Sequence, residues 1–120
     1  MEFALLIYAD QAGLEKLPPS EATQVMNAYG AYTGALQSAG VLLGSNRLRP
    51  THTATTVRVK SGKTEVLNGP YVETREQLGG YFLIDVKDLD AALSWAAKCP
   101  GASHGVIEVR PVWPRSEFAG

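Results

Sequence analysis

The sequence predicts an α+β fold, an antiparallel sheet with two helices packed on one face, and three observations carry that prediction. Short apolar runs of strand length stand near residues 2–9, 80–86 and 105–112. Two segments between them repeat apolar residues at helical spacing. A pair of alternating segments joined by Ser61-Gly62-Lys63 sits between the two halves, as an inserted hairpin would.

Residues 2–9 (EFALLIYA) form a continuous apolar run that ends at Asp10, the pattern of a buried strand. The loop QAGLEKLPPS follows. Ser20, after two prolines, is placed to cap a long helix, with Glu21 favourable to the helix dipole. Val25, Ala28, Tyr29, Tyr32, Ala35, Leu36 and Ala39 give that helix its stripe, and Gly40 ends it in a left-handed conformation. Gly30 and Gly34 inside it point to close backbone packing. Residues 41–44 resume as a short strand, and 53–60 with 64–68 make the hairpin. Its alternation implies one wet face. Residues 80–86 (GYFLIDV) read as a buried strand. Asp88 then caps a helix whose stripe is Leu89, Ala92, Leu93, Ala96 and Ala97, ended by Pro100 and Gly101. Residues 105–112 are the last strand. The domain therefore spans 1–113, with 114–120 a loose polar tail.

The order β-α-β, hairpin, β-α-β is the split βαβ, ferredoxin-like arrangement. Strand parity assigns Phe3, Leu5, Ile7, Phe82, Ile84, Val86, Ile107 and Val109 to the face under the helices. The other face carries Ala4, Leu6, Tyr8, Asp10, Tyr81, Leu83, Asp85, Val106, Glu108 and Arg110. An uncovered face of this kind wants a partner, and a second copy related by a two-fold axis is the simplest. Tyr8, Tyr81, Glu108 and Arg110 then line a small-molecule pocket, or serve as interface residues and an ion pair.

The connector NGPYVETREQLGG, residues 68–80, is the other candidate. Asn68-Gly69-Pro70 is strong turn chemistry, and Glu73, Arg75 and Glu76 decorate a short segment, at most one helical turn, that Gly79 and Gly80 stop. It is either a solvated charged connector or a loop completing a site over the open face.

Eleven basic and twelve acidic residues give a net charge of −1, so nothing attracts a phosphate backbone and nucleic acid is not an expected partner. His52 and His104 have no ligating neighbours at metal spacing. Neither a dinucleotide fingerprint nor a P-loop is present, so no cofactor and no metal are expected. The single Cys99 fits a reducing, cytoplasmic setting. MEFALLIYAD is too short and lacks the basic head of a signal peptide. No run approaches the roughly 18 apolar residues of a membrane span.

The run LNGPYVETREQLGGYFLIDVKDLDAALSWAAKCPGA, followed by GVIEVRPV, with the ALLIYAD start and AGVLLGSNRL, resembles the YCII-related proteins of the DGPF type over nearly the whole chain. The resemblance implies a dimeric α+β barrel, and it maps the family motif onto Asn68, Gly69, Pro70, Tyr71, Glu73, Arg75, Glu76, Gly79, Gly80, Glu108, Arg110 and Pro111. Some relatives are proposed to use a His and Asp pair, with a dehalogenating lyase among them. DGPF-type members resemble proteins associated with extracytoplasmic-function sigma factors. Two departures bear on chemistry. Asn68 stands where the family has Asp, and the first helix offers Tyr29 and Tyr32 but no His. An amide is no general base, and neutral Tyr is a poor one near pH 7. The expectation is a homodimer that binds a small aromatic or anionic metabolite through Tyr8, Asn68, Tyr71, Arg75, Tyr81 and Arg110. Glu73, Glu76 and Glu108 are the candidates for any proton transfer. The alternative is a regulatory or interaction protein without chemistry.

Overall fold

Alternation along Glu2–Ala9 (β1) sends Phe3, Leu5, Ile7 and Ala9 to one side of the strand. In the computed structural model, which describes residues 1–118, that side is the core, and Phe3 and Leu5 are fully buried. Each such side chain stabilises the fold by about 1.5–3 kcal/mol. β1 pairs antiparallel with Gln77–Asp85 (β5) and with Val106–Pro111 (β6), and Leu42–Arg47 (β2) pairs antiparallel with the outer edge of β5. The sheet order β2-β5-β1-β6 is the expected ferredoxin-like order. The inserted hairpin, Thr55–Lys60 (β3) and Lys63–Asn68 (β4), forms a separate two-stranded sheet.

Between β1 and β2 lie two helices, Gln11–Glu15 (α1) and Pro19–Ser38 (α2); Leu89–Lys98 (α3) follows β5. α2 and α3 cover the same face: Tyr32, Leu36, Ala92 and Ala96 close on Phe82, Ile84 and Val86. The Tyr32 ring meets Phe82 edge-on at 5.2 Å, and its hydroxyl donates to the Trp95 carbonyl at 2.7 Å. Asp88 caps α3 as expected, its carboxylate accepting from the Ala91 N–H at 2.9 Å.

Several local expectations are corrected. α2 begins at Pro19, with Pro18 in the capping position and no side-chain cap, so Ser20 is already helical; proline suits the first helical position because its missing N–H is not needed there. α1 is a short helix where a loop was expected, and Asp10 leaves the strand face to cap it, accepting from the Gly13 N–H at 3.3 Å. The buried stripe of α3 is rotated: Leu89 and Leu93 are about half exposed, while Ala91 and Trp95 pack against the core. Gly30 and Gly34 have no neighbour that an added Cβ would touch, so close packing is not their reason. Gly40 does end its helix with φ +72°. β2 runs on to Arg47, three residues beyond its expected end. β5 starts at Gln77, so Gly79 and Gly80 lie inside a strand and stop no helical turn. Arg115–Phe118 (α4) form one turn of helix, and residues 119–120 of the expected tail lie outside the described residues.

The hairpin projects away from the body. Val57, Val59 and Val66 are each about 60% exposed or more, and the radius of gyration, 16.6 Å, exceeds that of a compact chain of this length by about 3 Å. Among the described residues no helix is long and apolar enough to cross a membrane.

Candidate functional site

The expected site residues fall in three places. On the open face, the register sets Leu6 between Tyr81 and Glu108, and Ala4 between Leu83 and Arg110, so the parity argument groups the right residues. Glu108 and Arg110 form an exposed ion pair at 3.8 Å. Tyr81 accepts a hydrogen bond from the Asn46 side-chain amide at 2.8 Å, and Tyr8 is half-buried opposite Leu78 and Val106. At the root of the arm, Asn68 and Tyr71 border a shallow depression of about 270 Å³ together with Thr56, Arg58, Glu65, Leu67 and Pro70. The Arg58 guanidinium lies over the Tyr71 ring at 5.6 Å. Gly69 takes φ +110° there, the positive value the turn requires. Glu73, Arg75 and Glu76 are exposed along the connector.

A larger cleft opens on the helix side of the sheet, away from the open face where a pocket was expected. It holds about 360 Å³ between α1, the middle of α2 and the β2–β5 edge. Val25, Met26, Tyr29 and Thr33 recur along one face of α2 to form one wall; Gln11, Leu14 and Glu15 of α1 form another. Ile7, Ala9 and Phe82 make an apolar floor, and Arg47, Leu48 and Pro50 close the third side. Of the residues expected to bind a ligand, only Tyr81 borders this cleft.

Two glycines let β2 reach that position. The β1–β5 register slips between Ile7 and Tyr8, pairing them with Gly80 and Leu78, so Gly79 is the extra residue of a bulge. Gly80 faces Arg47, and a Cβ on it would stand 2.8 Å from the Asn46 carbonyl oxygen. Bare backbone at 80 is therefore what lets Asn46 and Arg47 close on β5. Arg47 donates to the Met26 sulfur at 3.3 Å and makes no ion pair among the described residues. Arg47 thus stands as an exposed guanidinium on the wall of the cleft, across from Glu15.

On the cleft wall, Tyr29 is half-buried near Cys99, and Gly101 is bare where a Cβ would press against the Tyr29 hydroxyl. Burial, reinforced by Cys99, pushes the Tyr29 phenol well above its usual range. Burial does the same to Tyr32 and raises the Cys99 thiol. Tyr29 is thus a neutral group that can donate a hydrogen bond but not take up a proton. Sequence reasoning missed Gln11, Glu15 and Arg47. The one available signal was Asp10 directly after a strand, which marks the start of α1.

The YCII-related domain model matches residues 1–116. The chain belongs to the YCII-related family. A relative in Rhizobium meliloti (strain 1021), itself uncharacterized, is 40% identical over 114 residues, covering 93% of this chain and 92% of that protein. Among solved structures, 5-chloro-2-hydroxyhydroquinone dehydrochlorinase (TftG) of Burkholderia phenoliruptrix AC1100, in complex with 2,5-dihydroxybenzoquinone, superposes with a TM-score of 0.54. It covers 95% of this chain and 94% of its own at 13% identity, a likeness of fold. The YCII-related match takes in the connector as well as the cleft.

Proposed function

We propose that this YCII-related protein binds a small, flat, anionic molecule, an aromatic hydroxy acid or hydroxyquinone, in the cleft between α1, α2 and the β2–β5 edge. The observation that carries the reading is Arg47, a guanidinium that has no carboxylate partner among the described residues and borders a largely apolar cleft. Arg47 holds the negative group, the floor of Ile7, Ala9 and Phe82 takes the ring, and Glu15 on the facing wall accepts from a ligand hydroxyl. The ligand of the dehydrochlorinase complex, 2,5-dihydroxybenzoquinone, is of this chemical class. A lyase-like proton transfer extends the proposal. Glu73, Glu76 and Glu108 do not border the cleft, so the base there would be Glu15, with neutral Tyr29 as hydrogen-bond donor.

The test is calorimetric titration with 2,5-dihydroxybenzoate and 2,5-dihydroxybenzoquinone. One saturable site is expected, weakened about 10- to 100-fold in Arg47→Ala, the worth of a hydrogen bond to a charged group. Absence of binding, or equal binding by the variant, would sink the reading.

A second reading, a protein that acts through its surface, draws on the arm, whose Val57, Val59 and Val66 are exposed to solvent. A two-stranded hairpin is marginal on its own in water. We infer a homodimer in which a second copy covers the open sheet face and the arm. A cytoplasmic setting accords with the unpaired, buried Cys99.

A further inference from the structure

The outer wall of the cleft is α1, five residues long and without a buried side chain of its own. A helix that short has no stability in isolation. Asp10 caps it from within the turn. From outside, two carboxamides tie it down. Gln77 Oε1 accepts from the Gln11 N–H at 3.0 Å, and Gln77 Nε2 donates to the Thr74 carbonyl at 2.6 Å. Gln11 Oε1 in turn accepts from the Thr51 N–H at 3.0 Å. The chain of bonds runs from the connector, through the first residue of β5, to the start of α1 and on to the turn after β2. Gln11 borders the cleft, whereas Gln77 does not.

We propose that Gln77 is a positioning residue for the cleft: acting through Gln11, it holds α1 as a wall against the bound molecule. The inference rests on the cleft being the binding site. It also gives the connector a task that none of its charged side chains performs. Gln77 has to present one amide in two directions at once, accepting from α1 and donating back to Thr74, which fixes the connector and the wall relative to each other. The bulge at Gly79 lies between Gln77 and the regular part of β5, so the amide sits beside α1 while the rest of the strand keeps its core register. Gln11 Nε2 lies 3.8 Å from where a Cβ on Gly79 would stand, so the Gln11 side chain crosses bare backbone on its way to Thr51.

The experiment compares wild type, Gln77→Ala and Gln77→Glu by stopped-flow binding of 2,5-dihydroxybenzoate and by amide hydrogen exchange. Gln77→Ala should release the probe about three- to tenfold faster, in proportion to the loss of a hydrogen bond, with faster exchange in α1 and unchanged exchange in β1. Gln77→Glu keeps an acceptor for the Gln11 N–H but loses the donor to the Thr74 carbonyl, so it should recover the residence time only in part. Saturable binding with equal dissociation rates in wild type and Gln77→Ala, or a Gln77→Glu variant no better than Gln77→Ala, would overturn the proposal alone. No saturable binding by the wild-type protein would overturn the cleft reading and this proposal with it.

Discussion

Adjacent glycines should respond to the same substitution with opposite signs. Neither Gly79 nor Gly80 has a positive φ, so alanine is free of backbone strain at both. At Gly80 the new Cβ would meet the Asn46 carbonyl oxygen at 2.8 Å and the Arg47 Cα at 3.4 Å. The neighbour is main chain and cannot swing aside, so β2 must retreat from β5 by about half an ångström. Such overpacking costs roughly 1–3 kcal/mol. The stiffer unfolded chain returns about 0.4–1 kcal/mol, which leaves Gly80→Ala destabilised by about 1–2 kcal/mol. At Gly79 the nearest atom is 3.8 Å away, an ordinary contact. There the unfolded-state effect stands alone, and Gly79→Ala should be neutral or up to about 1 kcal/mol more stable. Urea unfolding followed by circular dichroism measures both, with the midpoint moving and the slope constant; Gly80→Ala should also melt about 4–8 °C lower. A Gly80→Ala protein as stable as wild type, or a Gly79→Ala protein that falls as far, would refute the reasoning.

Stability should also fall in alkali. Tyr29, Tyr32 and Cys99 have raised pKa values, chiefly through burial, so above their ordinary values the unfolded chain binds fewer protons than the folded one. Their contribution is complete below about pH 8.5 and declines as pH rises through about 10 and beyond. Urea midpoints measured from pH 7 to 11 check this, Cys99→Ala should blunt the earliest part of the decline, and a flat profile would contradict it. Light scattering should return twice the 12.9 kDa chain mass; a stable monomer would contradict a second copy over the open face and the arm.

Strand parity made most of the fold legible. Phe3, Leu5, Ile7, Phe82 and Ile84 alternate with half-exposed neighbours, and a side-chain period of two leaves no other face for them. What parity could not supply was the cleft. Arg47 lay beyond the expected end of β2, because Ser45 and Asn46 are poor strand formers held there by pairing with β5. α1 has too few residues to show a helical period. The Gly79-Gly80 pair looked like a stop signal because a bulge and a breaker share the same residue. Tyr29 was visible as part of a helical stripe, but its place in the cleft depends on a gap between helix and sheet that no pattern within one element records.

The position of β1 has a consequence for synthesis. Its two neighbours in the sheet are β5 and β6, both from the second half of the chain. A nascent chain leaving the ribosome therefore carries Phe3, Leu5 and Ile7 with no strand to pair against until residues 77–85 have emerged. The hairpin arm pairs only locally, and both of its strands emerge before β5 does. The molecule should assemble from its periphery inward, with the cleft, which needs residues from both β1 and β5, among the last features to exist.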